Sequence, residues 1–321
     1  MNSDRKTNLD ILRLFLALSV FHTHWHDLLA VPPSPLLLIP PVPCFVCLSG
    51  FLIPESFRQS RSPAHFWIKR ALRIAPAFLM SLILVAVLFG PRAVWPTIMV
   101  YFSLALIPNI PCFDPVLWSL LLEEILYVFF VTLNVLKVWK KPVVWGCFIV
   151  SSTIWCILFT HMHVASVYER WWPNMQMGPI TAFFAGNLLY VYKEKLTVRR
   201  ILFGVPLVFL TILLPASVRQ FLQPVYLTAF VAVVVAMLYT LPQVKLKFPD
   251  LSYGIYVYHC PIIIFLCNHH IARGELADGL WVMTVSAASW YLVEKPALAL
   301  KNKIGRPRVP IRETPEKVAA G

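Results

Sequence analysis

Charge is what this sequence has least of. Only 13% of its 321 residues are Asp, Glu, Lys or Arg and 59% are hydrophobic, whereas a soluble domain carries about 25% charged residues. A soluble fold is excluded, because several apolar runs of about 20 residues would have to share one core with few charges left to cover it. Short alternating strands of the kind that build a membrane β-barrel are absent as well. The seven cysteines, at 44, 47, 112, 147, 156, 260 and 267, are an odd, scattered set, which speaks against a disulfide framework. Cys44 and Cys47 form a lone CxxC at the head of an apolar helix; with no second pair, it reads as helix packing. No small-residue cleavage site follows the first apolar run, so that run is expected to stay as a span. No internal repeat is evident, which gives no support to a transporter built from duplicated halves.

What is present is an all-α pattern, a polytopic integral membrane helical bundle. Apolar runs mark ten candidate spans, at 9–29, 36–54, 74–90, 116–136, 142–160, 177–192, 201–217, 224–242, 250–270 and 279–299. The formal charge of +13 would suggest nucleic acid in a soluble protein, but here basic residues collect in alternate loops. Arg5 and Lys6 precede the first span, Arg58 to Arg73 separate the second and third, and Lys137 to Lys141 follow the fourth. Lys193 to Arg200, Lys245 with Lys247, and Lys301 to Arg308 continue the alternation. The opposite loops hold only isolated basic residues such as Arg92, Arg170, Arg219 and Arg273. Both termini are therefore expected in the cytoplasm, with lipid rather than nucleic acid as the partner. This parity holds only if the apolar run 94–108 does not cross, so it is expected to be re-entrant or interfacial. Residues 1–300 form one transmembrane domain, and 301–321, rich in Pro, Arg and Glu, read as a disordered cytoplasmic tail.

Ionisable side chains inside spans cost several kcal/mol and are functional candidates by default. Span 1, LDILRLFLALSVFHTHWHDLL, holds Arg13 and His24. Eleven residues at 100° each bring the two onto one face, about 16 Å apart along the axis. His22 lies round the helix from Arg13 and His26 falls near the interface; any one of the three histidines also reads as a hydrogen-bonded structural residue. Helical residues two apart point in different directions, so the HxHxH run is not expected to hold a metal. In WSLLLEEILY, Glu123 comes to the depth of His24. A carboxylate there would orient the imidazole and stabilise its protonated form. Tyr127, four residues on, shares the face of Glu123; the bland alternative is a helix–helix contact. In FWIKRALRIAP, Arg70 and Arg73 lie one turn apart near the depth of Arg13, as an anchor at the membrane face or as phosphate binders. In LSYGIYVYHCPI, His259 with Ser252 and Tyr256 belongs to an aromatic belt or lines a polar cavity.

Taken in order, these segments resemble the acyltransferase-3 family of membrane enzymes that O-acylate sugars of surface polysaccharides, peptidoglycan and some small molecules. NLDILRLFLALSVFHTH is similar to the family's opening helix, which selects Arg13 and His24 over His22. FVCLSGFLI, KRALRIAP, LWSLLLEEILY, LSYGIYVYHCPI and YLVEKP are similar to its LSGFLI, RxxR, WSLxxEExxY, SYGIYLxHxP and terminal (I/V)E(R/K)P segments, matching among others Ser49, Gly50, Trp118, Glu123, Tyr127, Glu294 and Pro296. The LF pair after Arg13 departs from the small residues common there. The resemblance implies an acyl-CoA donor, with acetyl-CoA first, as substrate rather than resident cofactor. It implies donor phosphates at Arg13, Arg70 and Arg73, and His24 as base or acyl carrier, oriented by Glu123. Trp118, Tyr127, Tyr256 and His259 would meet the substrate. A sugar or glycan acceptor would be read by the loops 30–43, 91–115 and 161–176, in a multi-pass protein of the cell inner (plasma) membrane. The sequence shows none of the appended extracellular domain that some members carry, so the expectation is that either the membrane domain acts alone or a separate extracytoplasmic protein completes transfer. The rival readings are a transporter or flippase of lipid-linked sugars, which moves substrate without consuming acyl-CoA, and a non-catalytic sensor.

Overall fold

The structure, a computed structural model, describes residues 7–31, 40–103, 113–161, 167–203, 214–245 and 248–304. Among them the secondary structure is entirely helical. The helices are α1 (Thr7–Leu28), α2 (Pro41–Arg58), α3 (Pro63–Phe89), α4 (Val94–Ser103), α5 (Trp118–Val135), α6 (Lys141–His161), α7 (Val167–Val191) and α8 (Ala216–Thr240). After them come α9 (Ser252–Asn268), α10 (Glu275–Ser289) and α11 (Lys295–Ile304), the last two joined by a π turn at Trp290–Glu294.

Among the described residues, five helical stretches are long and apolar enough to cross a membrane: Pro63–Phe89, Pro115–Val135, Lys141–Thr160, Phe221–Thr240 and Glu275–Leu300. Their outer faces carry large apolar side chains in the open, among them Leu79, Ile83 and Val87 on α3 and Ile149 and Val150 on α6. A soluble monomer rarely exposes so continuous an apolar surface; against lipid it costs nothing.

Most expected spans coincide with a helix, and three starts are corrected: α7 begins at Val167 rather than at 177, α8 at Ala216 rather than at 224, and the third helix likewise starts early. The third helix begins at Pro63 rather than at 74. Ser62 caps it, its side chain accepting from His65 N at 3.1 Å, and Pro63 supplies the fixed φ suited to a first helical turn. Arg70 and Arg73 therefore sit on the helix, not in a loop before it. Of the run 94–108 the described part is helical, α4, up to Ser103. Residues 104–112, most of the seventh span, the tail beyond 304, and parts of the loops 30–43, 91–115 and 161–176 lie outside the described residues.

α9 is the centre of the bundle. It is apolar on every side, which marks a helix surrounded by protein, and Gly254 through Ile263 are all buried. It packs on α1, α3 and α10. The second tight contact is α2 on α7. A Cβ at Gly50 would stand 2.1 Å from the carbonyl oxygen of Phe183, and one at Gly186 would stand 2.0 Å from that of Cys47. Both glycines are there because the backbones touch, the way apolar helices associate where no hydrophobic effect drives them together. Cys44 and Cys47 are free and fully buried between α1, α2, α7 and α8, so the CxxC packs the core.

Candidate active site

His24 lies on the last turns of α1 and His259 in the middle of α9, and the packing of these helices brings the rings together. His24 Nδ1 is 2.8 Å from His259 Nε2, and the rings stack at 18° with centroids 5.1 Å apart. His259 Nδ1 is 3.0 Å from the carbonyl oxygen of Ile255, one turn back on α9. A carbonyl only accepts, so Nδ1 of His259 carries the proton and donates. That leaves His259 Nε2 as an acceptor for the Nδ1–H of His24. The relay fixes the tautomer of His24 and puts its lone pair on Nε2. His24 also lines a cavity of about 960 Å³ with Trp118, Trp155, Gln223, Tyr226 and Tyr256. A neutral imidazole with a directed lone pair at a cavity wall can take a proton or an acyl group.

Glu123 is not the group that orients His24. Its carboxylate accepts hydrogen bonds from Ser49 of α2 and from Tyr127, one turn along α5. The shared face of Glu123 and Tyr127 is as expected; the partner across the interface is a serine rather than the histidine. The physical reason is helix pairing: α1 presents His24 to α9, while α5 presents Glu123 to α2. Its neighbour Glu124 points elsewhere and accepts from Tyr101 of α4 at 2.6 Å.

Arg13, Arg70 and Arg73 do come together, from α1 and α3, within electrostatic range of one another. Arg73 pairs with Asp250 at 2.5 Å and Arg13 with Asp10 at 2.9 Å. Arg70 reaches Ser56 at 3.3 Å, and its Nε is buried without a hydrogen-bond partner among the described residues. Glu123 and Tyr127 lie within electrostatic range of Arg70. The carboxylate thus lies between the arginines and the cavity, within electrostatic range of Tyr256 on the cavity wall as well.

The four expected substrate residues divide. Trp118 and Tyr256 are on the cavity wall, and Tyr256 shares a hydrogen bond with Ser119 at 2.5 Å. Tyr127 and His259 are buried behind it, one on Glu123 and the other on His24. Ser252 is not at the cavity; it donates to Asp250 at 2.6 Å. Glu294 lies in the π turn, accepting from Ser289 at 3.2 Å with its second oxygen buried and unpaired among the described residues. Such turns recur at functional sites.

Several acidic residues lie outside the sequence reading, three of them near the groups described above. Asp250 is the partner of Arg73. Asp114 is fully buried and accepts from Ser81 at 2.5 Å. Glu275, at the start of α10, faces His22 and His26. Only Asp114 carried a local signal, as a charge before proline and the WSL segment.

A half-buried histidine on a cavity wall, relayed to a buried one, in a bundle with membrane-length apolar helices, defines a membrane protein equipped for group transfer. A family model described as an acyltransferase domain matches residues 6–293, and the chain belongs to that family, acyltransferase-3. Nodulation protein 10 of Rhizobium leguminosarum bv. viciae is 26% identical, with 94% of this chain and 96% of that protein covered. ORF330 of Acidianus two-tailed virus, named a presumed acetyltransferase, is 25% identical over 77% of this chain and 80% of its own length. No solved structure matches the chain.

Proposed function

We propose that the protein is a multi-pass enzyme of the cell inner membrane that moves an acyl group, acetyl first among candidates, from cytoplasmic acyl-CoA to a hydroxyl of a sugar or surface glycan. The observation that carries this reading is the hydrogen-bonded chain from Ile255 through His259 to His24, which ends in a nitrogen lone pair on a cavity wall. The arginine cluster supplies the other half. Three guanidinium groups and two paired carboxylates leave Arg70 the least committed cation, suited to a phosphate of the donor. Ten spans with both termini cytoplasmic would place the arginines inside and His24 towards the outside, so the acyl group travels outward.

Two routes share this geometry. In one, His24 Nε2 takes the proton of the acceptor hydroxyl as its oxygen attacks the thioester carbonyl; the carbon–sulfur bond breaks and CoA leaves as the thiol. In the other, Nε2 attacks the thioester itself and CoA leaves as the thiolate; the acceptor hydroxyl then opens the acyl-imidazolium, its proton passing to the freed Nε2 and from there to the thiolate. His259 serves both routes by accepting the Nδ1–H of His24. Trp118, Trp155 and Tyr226 offer the cavity faces on which a sugar ring can lie.

Purified protein incubated with labelled acetyl-CoA and candidate glycans tests the reading. Transfer of label to glycan, abolished in His24→Ala, is expected. Substrate movement across vesicles without consumption of acyl-CoA would establish the flippase instead. An acyl group trapped on His24 selects the second route.

A further inference from the structure

We propose that His22, His26 and Glu275 form a binding site for one divalent transition-metal ion, zinc by the character of the donors. The site is separate from the His24 relay and does not depend on the acyl chemistry.

His22 and His26 are four residues apart on α1 and therefore share a face, as His24 does not. Their ring centroids are 4.2 Å apart. Glu275 is the first residue of α10, following Gly274, whose φ of +126° turns the chain into the helix. Its two carboxylate oxygens divide between the histidines: Oε1 meets His22 Nδ1, and Oε2 is 3.5 Å from His26 Nε2. One donor atom from each of the three residues lies within 4.8 Å of the others. Metal-bound histidines normally hold their second nitrogen against a carbonyl or carboxylate. His26 Nδ1 is 3.3 Å from the carbonyl oxygen of Val31, which leaves Nε2 turned to Glu275. The side chain of Glu275 is 32% exposed, so an ion can enter from solvent.

Two imidazoles and one carboxylate are the protein donors of open zinc sites, with nitrogen and oxygen about 2.0–2.2 Å from the metal. His22 Nε2 is buried without a hydrogen-bond partner among the described residues. With the metal at Nδ1 this ring keeps its proton on Nε2, so of the two imidazoles it is His26 whose second nitrogen is held by a carbonyl. The ion ties the last turn of α1 to the start of α10, two residues from His24. A second group of possible ligands, His24, His259 and Cys260, exists in the bundle. Its imidazoles are committed to each other, and it belongs to the site already described.

The test uses the untagged full-length protein in detergent, stripped with EDTA and titrated with zinc chloride by calorimetry and with cobalt chloride by visible absorption. One equivalent of zinc is expected, with thermal stabilisation at saturation. The cobalt form should show d–d bands and no near-ultraviolet thiolate charge-transfer band. His26→Ala and Glu275→Gln should weaken binding by about tenfold or more, while His24→Ala and His259→Ala retain it. Absence of saturable binding overturns the proposal. So does a thiolate band on the wild-type protein, because the proposed donors include no sulfur; this readout needs no variant to fold.

Discussion

His24 Nδ1 and His259 Nε2 are 2.8 Å apart, and the second ring is anchored by the carbonyl of Ile255. The relation makes a histidine, rather than a carboxylate, the positioning residue of the proposed centre. A neutral acceptor orients His24 without a buried negative charge beside it. Replacing His259 by Ala should lower transfer by about 10²-fold, the scale of a lost orientation. His259→Gln, whose side-chain carbonyl can still accept from His24 Nδ1–H, should recover part of that loss. Equal inactivity of the Ala and Gln variants, both folded, would show that the contact is structural.

Glu123 should behave as a partner of Tyr127, not of His24. Residues that share a hydrogen bond show coupling energies of about 0.5–3 kcal/mol in a double-mutant cycle, whereas independent sites add. Tyr127→Phe with Glu123→Gln is expected to be non-additive in thermal stability, because the Tyr127 hydroxyl donates to that carboxylate. Ser49→Ala should couple to Glu123→Gln in the same way. Coupling of Glu123→Gln to His24→Ala, with additive behaviour towards Tyr127→Phe, would restore the carboxylate–imidazole pair.

How far these contacts were legible differs from residue to residue. Arg13, Arg70 and Arg73 were found because helical phase and charge alternation are local properties of a chain. Glu123 with Tyr127 was found for the same reason, one turn apart on one face. The partner of His24 was not, because pairing across 235 residues depends on which helix faces which, and α9 carries no periodic apolar face to betray its centrality. Asp250 with Arg73, 177 residues apart, is hidden likewise. His22 and Glu275, 253 residues apart, are hidden in the same way, since the spacing of the HxHxH run says nothing of a carboxylate on another helix.

Gly50 and Gly186 should tolerate no side chain. The Cβ of an alanine at either position would meet a backbone carbonyl at 2.1 or 2.0 Å, and a backbone cannot rotate aside as a side chain does. Overpacking of this kind costs about 1–3 kcal/mol. Gly50→Ala and Gly186→Ala are each expected to lower the melting temperature of the purified protein. Gly146→Ala, where a Cβ meets nothing within 4 Å, should not.

Arg70 should govern the donor and leave the acceptor alone. Its Nε has no partner among the described residues, whereas Arg13 and Arg73 are tied to Asp10 and Asp250. Arg70→Ala is expected to raise KM for acyl-CoA by about tenfold or more, the scale of a charge-assisted hydrogen bond to phosphate. Arg70→Lys should rescue incompletely, since an ammonium cannot make the forked contact. Dephospho-CoA thioesters should narrow the gap between wild type and variant. An unchanged donor KM in a folded Arg70→Ala protein would remove the arginine from the donor site.

Tyr226 should govern the acceptor. Its ring lines the cavity beside His24, and its hydroxyl is buried without a partner among the described residues. A buried unsatisfied hydroxyl costs about 1–3 kcal/mol, a cost that a polar ligand in the cavity can relieve. A sugar hydroxyl is such a ligand, and Gln223, on the same helix and the same wall, offers a second polar contact. Tyr226→Phe keeps the stacking face and removes only the hydroxyl. It is expected to raise the acceptor KM about 3- to 10-fold, the value of one hydrogen bond, with donor KM unchanged. Because the orphaned hydroxyl is gone, the same variant should be at least as thermally stable as wild type. Lower stability together with an unaltered acceptor KM would mean that the hydroxyl bonds within the protein and takes no part in recognition.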